Sequence, residues 1–397
     1  YLYETNKMKP KVTIGVPVYN GEKIIRQCLD AMLEQTFTDF ELIISDNASN
    51  DKTEQICREY ESRDKRVTYI KHPENMGTAF NFKFLMEKAI GEYFMWAAVD
   101  DTRSPDFLAI HVHFLDDNSS YVSSTSPTTF DGKPVPDEMM GDWMLDQDRV
   151  ALRMLKFFSC WHANSHFYGL HRRASVIKWP EIYKPGFHGD DWTLVMHLAS
   201  LGKLNRSSQG WVKFGPFGIS AKRNLFAFYR KNRLDYFIPF HKTSCKAISI
   251  VNDAGVIEWV HLFYKLLKFN IKGFKAQLNH DKWDKRLTQI IKALRLDDKD
   301  MRPQFVICGA GDMGRRLYNS MSDKGIVASL FTDRALSGQK LIFDGVLVPV
   351  VRVSDAMELG FTSYIIASKE FSADITCEVR NEAESRKLDI TIMQLYS

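Results

Sequence analysis

The stretch Val12-Thr13-Ile14-Gly15-Val16-Pro17-Val18 decides the fold, because this run of β-branched residues predicts a buried strand. Residues 21–35 follow it with apolar side chains at helical spacing. Residues 40–46 repeat the strand pattern and residues 51–63 repeat the helical one. Strands that alternate with helices predict a mostly parallel sheet, so we expect the chain to begin with an α/β domain.

Acidic side chains follow the strands of this predicted sheet. The second strand ends at Asp46, and a strand predicted at 93–99 is followed directly by Asp100 and Asp101. Ligands of such sheets bind beyond the carboxyl ends of the strands. Carboxylates clustered there are expected where a divalent cation bridges them to a diphosphate. An isolated Asp-Asp pair is more often only a turn or a helix cap, and this alternative stays open.

The order of these pieces resembles that of family 2 glycosyltransferases of the GT-A fold. Four blocks carry the resemblance, namely residues 13–22, 35–53, 75–77 and 99–101, and it extends over residues 11–220. It implies a site for a nucleotide-sugar donor. The donor-binding residues that it implies are Pro17, Tyr19, Asn20, Asp46, Asn47, Asn75, Gly77, Asp100 and Asp101.

The resemblance also implies a metal site. Asp101 would hold a divalent cation, Mn²⁺ or Mg²⁺, at the diphosphate of the donor, and Asp46 would face the nucleotide base. One position departs from the family pattern, because Val99 stands where the first acid of the Asp-x-Asp triplet is expected. The role of that acid near the ribose is then lost or passes to Asp100, and metal-independent binding is the alternative.

A second acidic pair precedes a predicted helix that ends at Gly202. An inverting transfer needs one carboxylate that takes the proton of the acceptor hydroxyl. By the resemblance, Asp191 is this base and Asp190 lies on the acceptor side. The alternative is a purely structural role, because the helix dipole favours acids at a helix N-terminus.

The segment 160–173 is dense in polar rings and resembles the part of related transferases that crosses the acceptor site. Sugar hydroxyls need planar stacking surfaces and fixed hydrogen bonds. The resemblance therefore implies acceptor contacts at Trp161, His162 and Asn164. Core histidines and a buried tryptophan are the alternative reading of the same segment.

The segment 221–302 is predicted to be helical, basic and aromatic. Residues 222–302 contain 18 basic and 8 acidic residues, whereas the whole chain has 53 and 49 and a net charge of +4. An apolar stripe with adjacent lysines over 256–276 predicts either a helix at a membrane interface or a helix that packs on the catalytic domain or another subunit. No nucleic-acid recognition motif is found, so nucleic acid is not an expected partner.

The last segment, 303–397, has the pattern of a small Rossmann-like α/β domain. A predicted strand runs into Gly309-Ala310-Gly311-Asp312-Met313-Gly314 and then into a helix, which is the context of the dinucleotide-binding fingerprint. The residues that would bind a nucleotide here are Gly309, Gly311, Gly314 and Asp333. The segment has room for about four strands rather than six, so a structural or oligomerising role is the alternative.

Composition excludes several classes of protein. Apolar residues make up 45% and charged residues 26% of the chain, as in folded globular proteins rather than disordered ones. The six cysteines show no Cys-x-x-Cys spacing, so neither a zinc site nor a disulfide framework is expected. A secretory signal and a run of about 18 apolar residues are not found. We therefore expect a cytoplasmic protein, peripheral to the cytoplasmic face of the inner membrane at most.

These patterns predict three segments, with a GT-A domain at 8–220, a helical basic segment at 221–302 and a Rossmann-like domain at 303–397. The function that we expect is an inverting hexosyl- or deoxyhexosyltransferase. It would move a sugar from a nucleotide-diphosphate sugar to a hydroxyl of a bacterial surface glycan or a lipid-linked saccharide. The donor nucleotide and the oligomeric state stay open.

Two rival hypotheses remain at this point. A non-catalytic nucleotide- or glycan-binding scaffold would explain Val99, although Asp191 argues against it. A bifunctional transferase with an NAD-dependent C-terminal domain needs a Tyr-x-x-x-Lys pair after residue 303. Neither Tyr318 nor Tyr364 has a lysine four residues later, so this hypothesis lacks its catalytic pair.

Overall fold

The structure, a computed structural model, describes residues 9–130, 133–134, 143–160, 165–179, 186–215, 225–294, 304–322, 324–343 and 346–395. The chain divides into two compact units. The first consists of Tyr1–Ala221 and Leu225–Lys275, and the second consists of Lys222–Asn224 and Ala276–Ser397. The division at residue 275 falls inside the helical basic segment that the sequence predicts at 221–302.

The first unit contains eleven strands in its described part. They are β1 Val12–Val18, β2 Phe40–Asp46, β3 Val67–Lys71, β4 Tyr93–Trp96, β5 Thr102–Arg103, β6 Tyr121–Thr125, β7 Thr128–Phe130, β8 Lys133–Pro134, β9 Leu170–Arg172, β10 Lys203–Arg206 and β11 Val212–Phe214. Seven strands form the main sheet in the order β10-β6-β9-β4-β1-β2-β3, and four form a smaller sheet in the order β5-β11-β7-β8. In the main sheet only β9 runs antiparallel to its neighbours, so the predicted α/β fold is confirmed.

Helices connect these strands and follow them. They are α1 Ile25–Leu33, α2 Thr53–Arg63, α3 Thr78–Lys88, α4 Phe107–Asp117, α5 Val150–Phe157, α6 Arg173–Val176, α7 Trp192–Leu201, α8 Leu225–Tyr229, α9 Arg233–Phe237, α10 His241–Ile250 and α11 Val256–Ala293. The last of them begins in the first unit and ends in the second. No helix within the described ranges is long and apolar enough to cross a lipid bilayer.

Two boundaries differ from the sequence expectation for local reasons. Helix α1 begins at Ile25 rather than Gly21, because residues 22–24 form a turn that ends at Ile24 with a non-helical φ of −127°. The Gly21 N–H donates to Thr53 Oγ1 (2.8 Å) and the Glu22 N–H donates to Asp51 (3.1 Å). These side-chain bonds hold a turn where a helix was predicted. Strand β4 ends at Trp96 rather than residue 99, since the chain turns at Ala98, whose carbonyl accepts from the Asp101 N–H (3.1 Å).

Every residue of β1 is buried, including Pro17, which cannot donate to a sheet. Its position explains why it is tolerated. Gly15 bonds toward β4, since its carbonyl accepts from Ala97, and Pro17 faces the same neighbour two residues later. Because β4 pairs with β1 only as far as Gly15, no partner strand lies opposite the proline on that side.

The second unit has its own six-stranded sheet. Its elements are β12 Phe305–Cys308, α12 Asp312–Ser322, β13 Leu330–Thr332, β14 Lys340–Phe343, β15 Val346–Val351, α13 Val353–Glu358, β16 Ser363–Ile366, α14 Ser372–Arg386 and β17 Thr391–Gln394. The sheet order is β14-β15-β13-β12-β16-β17, and only β14 is antiparallel. The expectation of about four strands was wrong, because β14 and β17 add an edge strand on either side of the other four.

Candidate active site

The carboxyl ends of β1, β2 and β3 carry the predicted donor-binding residues on adjacent loops. The register pairs Val18 with Asp46, so the loops that follow the two strands start side by side. The Asn47 N–H donates to the Val18 carbonyl (2.9 Å), and the Asn20 N–H donates to Ser49 Oγ (2.8 Å). Asn20 and Ala48 have left-handed backbone angles, with φ of 52° and 64°.

Asp46 is fully buried and organises the loop that follows β2. Its Oδ1 accepts from the N–H and the hydroxyl of Ser49 (2.8 and 2.6 Å), and its Oδ2 accepts from the Tyr69 hydroxyl (2.6 Å). Burial, followed by the charge of Asp46, raises the pKa of Tyr69. The geometry therefore gives Asp46 a positioning role, and its contact with a base stays a prediction.

Three of the predicted donor-binding residues lie together beside this loop. Asn47 Nδ2 donates to Asn75 Oδ1 (2.9 Å), and the Gly77 N–H donates to the same oxygen (3.0 Å). Asn47 Oδ1 accepts from the Met76 N–H (2.9 Å). Gly77 has φ of +87°, a conformation that favours glycine. The loops after β2 and β3 are thus tied to each other.

Tyr19 and Pro17 occupy different positions although only two residues separate them. The Tyr19 side chain is 50% exposed at the end of β1 and offers a ring on which a base can stack. Pro17 is buried within strand β1, so it would support the site through packing inside the sheet. Both assignments as donor contacts stay predictions.

Asp101 is an acid of the site with unusual burial, hydrogen bonding and pKa. It is 4% exposed, and its Oδ1 accepts from the Gly215 N–H (3.1 Å). Its Oδ2 has no hydrogen-bond partner among the described residues. Burial raises the pKa of Asp101 to about 7, against the opposing charge of Arg103 and with a smaller contribution from Asp100.

Gly215 and Arg103 belong to this site, although sequence reasoning did not single them out. A Cβ on Gly215 would lie 2.1 Å from the Asp100 carbonyl oxygen, so only glycine permits this approach. Arg103 is 2% exposed, and its Nη2 donates to the carbonyls of Trp96 and Tyr168 (3.0 Å each). No sequence signal marks a buried arginine or a close glycine before the strands are placed.

The residues present fit a divalent cation in part. The unpartnered Asp101 Oδ2 and the raised pKa of this carboxyl are what a cation ligand would show before the cation binds. Within the described residues, however, no three His, Cys, Asp or Glu side chains cluster as a metal site. The protein would thus supply few ligands, and the donor diphosphate and water would supply the others.

Asp190 and Asp191 lie at the start of α7 and have different partners. Asp190 accepts from the N–H groups of Gly186 (2.8 Å) and Asp191 (2.9 Å), and burial raises its pKa. Asp191 is the N-cap residue, and its carboxylate accepts from the Trp192 N–H (2.9 Å). Asp190 therefore holds the loop, while Asp191 also has the capping role that the sequence left open.

Tyr168 connects the two acidic pairs. Burial raises the pKa of its hydroxyl most, and the charges of Asp101, Asp191 and Asp100 raise it further. The carboxylates after β4 and the carboxylate at the start of α7 thus act electrostatically on one buried phenol. Asp190 and Asp191 act in the same way on Tyr229 of α8. Asp101 and Asp191 are 90 residues apart in the sequence, and the charges of both raise the pKa of the same buried hydroxyl.

The predicted acceptor contacts Trp161, His162 and Asn164 lie outside the described residues. Two other rings of that segment are core residues. His166 lies within 2.7 Å of the Trp143 carbonyl, and His171 within 2.9 Å of Ser123 Oγ. Burial lowers the pKa of each to about 4, so both are neutral at physiological pH.

The glycine turn of the second unit is closely packed. Gly309 has φ of +104°, and a Cβ on Gly314 would lie 1.8 Å from the Gly309 carbonyl oxygen, whereas a Cβ on Gly311 would meet nothing within 4 Å. Asp333 accepts from the N–H groups of Ala310 (3.0 Å), Ala335 (2.9 Å) and Leu336 (3.2 Å). Its carboxylate thus holds the turn, and its contact with a ribose stays a prediction, as does the Rossmann-like designation.

Comparison with known proteins agrees with the α/β fold of the first unit. Residues 13–176 match the family model described as glycosyl transferase family 2. TuaG of Bacillus subtilis, a glycosyltransferase assigned to teichuronic acid biosynthesis, is 24% identical over 252 residues, which cover 60% of this chain and 97% of TuaG. The first unit therefore carries a glycosyl transferase family 2 domain with a GT-A-like fold.

Two further proteins are similar over different spans. An uncharacterized glycosyltransferase of Rickettsia typhi, RT0329, is 36% identical over 110 residues, which cover 28% of this chain and 33% of that protein. The chain spans only 14–50% of the length of this and two more curated relatives. The structure of S. aureus TarS 1–349 in complex with UDP-GlcNAc is 17% identical, covers 85% of this chain and 95% of TarS 1–349, and has a TM-score of 0.50. This likeness concerns the fold alone.

Proposed function

We propose that the first unit is an inverting glycosyltransferase that uses a nucleotide-diphosphate sugar. The observation that carries the proposal is the buried carboxylate of Asp101, whose Oδ2 has no hydrogen-bond partner among the described residues. A donor diphosphate near Asp100 and Asp101 would place the sugar carbon between these two acids and Asp191. The family match over residues 13–176 supports the same reaction class.

The donor would lie along the loops that follow β1, β2 and β3. The exposed Tyr19 ring would stack on the base, and the bonded Asn47, Asn75 and Gly77 would hold the loops in place beside it. Asp101 would hold Mn²⁺ or Mg²⁺ against the diphosphate, with Asp100 next to it. When bound, this cation would neutralise the charge that develops on the leaving nucleoside diphosphate.

Asp191 would act as the base. The acceptor hydroxyl gives its proton to this carboxylate while its oxygen attacks the anomeric carbon, and the bond to the diphosphate breaks on the opposite side. This displacement inverts the anomeric configuration and needs no covalent enzyme intermediate. The backbone bonds of Asp190 fix the loop on which the base is held.

The acceptor class rests on the named relatives. TuaG is assigned to teichuronic acid biosynthesis, and TarS was crystallised with UDP-GlcNAc. We propose a cell-surface glycan or a lipid-linked saccharide as the acceptor and a hexosyl or deoxyhexosyl group as the sugar.

Calorimetric titration with UDP, dTDP and GDP, each with and without Mn²⁺, tests the donor site. We expect one nucleotide to bind in a metal-dependent manner and Asp101→Asn to lose that dependence. Binding that is metal-independent and unchanged in Asp101→Asn would refute the metal role. If no nucleotide binds, the scaffold hypothesis replaces the transferase.

Donor hydrolysis, followed as release of the nucleoside diphosphate, tests the base without knowledge of the acceptor. Asp191→Asn should lower the rate by about 100-fold or more while nucleotide affinity stays the same. The matched control is Asp148→Asn, which changes an exposed carboxylate that pairs with Lys203. Equal rates in the two variants would refute Asp191 as the base.

A further inference from the structure

The first unit exposes a large apolar surface on α8, α9 and α11. Its members have side chains that are 40–81% exposed, although each is a large hydrophobic residue. They are Phe228, Leu234, Phe237, Ile238, Val256, Ile257, Val260, Phe263, Tyr264, Leu267 and Ile271. Single exposed hydrophobic residues are ordinary, but eleven of them within residues 228–271 of one unit indicate an interaction surface. We call these eleven residues the apolar face.

Helix α11 shows how this surface is built, because its first five turns have three distinct sides. Leu262, Leu266 and Phe269 are buried against the first unit. Val260, Phe263 and Leu267 follow one another at spacings of three and four residues and are exposed, so they form one stripe. A lysine stripe lies beside them at the same spacings and consists of Lys265, Lys268, Lys272 and Lys275.

Helix α11 packs tightly against the first unit. Its exposed stripe is therefore not the result of a helix that has separated from the core. A Cβ on Gly273 would lie 2.5 Å from the Phe240 ring, which allows no further approach. Asn270 Oδ1 accepts from the Phe240 N–H (2.9 Å), and Asn270 Nδ2 donates to Ser244 Oγ (2.9 Å). A mainly apolar groove lies among α9, α10 and α11, and its lining includes Phe237, Ile238, Phe263, Leu267, Ile271 and Phe274.

The charge around the apolar face has one sign. Residues 225–275 contain nine lysines and arginines and three acids, which is a net charge of +6. None of the three acids is exposed. Asp235 accepts from the N–H groups of residues 231 and 232, Asp253 accepts from those of residues 150 and 151, and Glu258 pairs with Arg149 (2.6 Å).

We propose that the apolar face docks on the surface of an anionic lipid bilayer. Large apolar side chains would enter the boundary between headgroups and acyl chains, and the lysine stripe would lie among anionic headgroups. A second copy of the chain fits this surface less well. A symmetric contact places a patch against itself, so the lysines would face lysines with no exposed acid in 225–275 to balance them.

This inference goes beyond the proposed reaction, since it assigns a partner to a surface that the reaction does not use. Its test needs no donor, acceptor or turnover. A failed membrane test therefore leaves the transferase proposal intact, and a failed transferase test leaves the membrane proposal intact.

Vesicle flotation of the full chain is the experiment. Vesicles of phosphatidylcholine with phosphatidylglycerol should bind at least about tenfold more tightly than vesicles of phosphatidylcholine alone, because each lysine near an anionic surface contributes to affinity. Added salt should reduce this difference. Equal binding to both vesicles, or binding to neither, would overturn the proposal.

Two variants locate the contact. Phe263→Ser with Leu267→Ser should lose about tenfold or more of the vesicle affinity, whereas Ile342→Ser with Leu347→Ser, an exposed apolar pair in the second unit, should retain it. Lys268→Glu with Lys272→Glu should abolish the preference for anionic vesicles without removing core residues. Thermal unfolding of each variant checks that it is folded. The proposal would also be overturned if the wild type does not bind vesicles and sediments as a dimer. If the Phe263 and Leu267 variant is then a monomer, the apolar face is an interface between two copies of the chain.

Discussion

Gly215 donates its N–H to Asp101 Oδ1 (3.1 Å) from a position where a Cβ would lie 2.1 Å from the carbonyl oxygen of the preceding Asp100. The end of β11 thus touches the acidic turn through a residue without a side chain. This contact supplies the only hydrogen bond to the Asp101 carboxylate from the described residues.

Gly215→Ala should therefore displace the acidic turn. We expect the free energy of unfolding to fall by about 2 kcal/mol or more, since either the backbone shifts or the added methyl group overlaps an oxygen atom. Nucleotide affinity should fall with it if the turn holds the donor. Chemical denaturation and calorimetric titration measure the two effects.

Gly311→Ala is the matched control for this substitution, because a Cβ there meets nothing within 4 Å. It should change the free energy of unfolding by less than about 0.5 kcal/mol. Equal stability of Gly215→Ala and Gly311→Ala would contradict the close approach at Asp100.

Asp46→Asn should disorder the loop after β2. The amide puts a donor where Asp46 now only accepts, from Ser49 on one oxygen and from Tyr69 on the other. We expect a loss of about 1–3 kcal/mol in the free energy of unfolding and weaker nucleotide binding. Tyr69→Phe removes only one of the three bonds and should cost less. A nucleotide affinity that is unchanged in Asp46→Asn would separate this loop from the donor site.

Acid should destabilise the first unit through its buried histidines. Burial, with a smaller effect of Arg103, lowers the pKa of His111 from 6.5 to about 3. The neutral ring is fully buried with its nitrogens 2.7 and 2.8 Å from Ser124 and Ser126. The unfolded chain takes up the proton below pH 6.5 and the folded chain does not, so stability is lost as the pH falls from 6.5 toward 3.

His111→Gln measures this contribution. Its free energy of unfolding should be lower at neutral pH, but it should fall less steeply with acid, by up to about 1.4 kcal/mol per pH unit. Denaturation series from pH 7 to about pH 4 give the two slopes. Parallel curves for wild type and variant would exclude His111 as a source of acid sensitivity.

Asp333→Ala should loosen the glycine turn of the second unit. Three backbone N–H groups lose their acceptor, so hydrogen exchange should accelerate at Ala310, Ala335 and Leu336. Nucleotide binding by the first unit should not change. Unaltered exchange at all three amides would show that the carboxylate does not hold the turn.

Strongly patterned elements could be predicted from the sequence, and elements that depend on distant partners could not. Strands β1 and β2 lie where their runs of apolar and β-branched residues placed them, because both are buried along almost their whole length. The predicted start of α1 was wrong, because the preceding turn is held by Asp51 and Thr53, which belong to a later part of the chain. Strand β14 was not predicted, because Ile342 is apolar but exposed and the residues of this edge strand do not alternate between apolar and polar.

The same limit applies to the prediction of the candidate site from the sequence. Motif order pointed to Asp46, Asp101 and Asp191, but their individual partners come from chain segments that no local pattern connects. Asp46 accepts a hydrogen bond from Tyr69, and burial raises the pKa of Asp101 against the opposing effects of Arg103 and the Gly215 N–H. Val99 packs against the hydrophobic core, which explains why an acid is not accommodated there in this chain.

The left-handed residues Asn20 and Ala48 have a consequence for how fast and how tightly a ligand is taken up. Each such residue costs about 1–2 kcal/mol, and hydrogen bonds within the chain, to Ser49 and Asp46, hold the two loops in this shape. The entropy of ordering these loops is lost when the chain folds rather than when the donor arrives. Association should then be a single fast step, and little of the binding enthalpy should be offset by an entropic penalty.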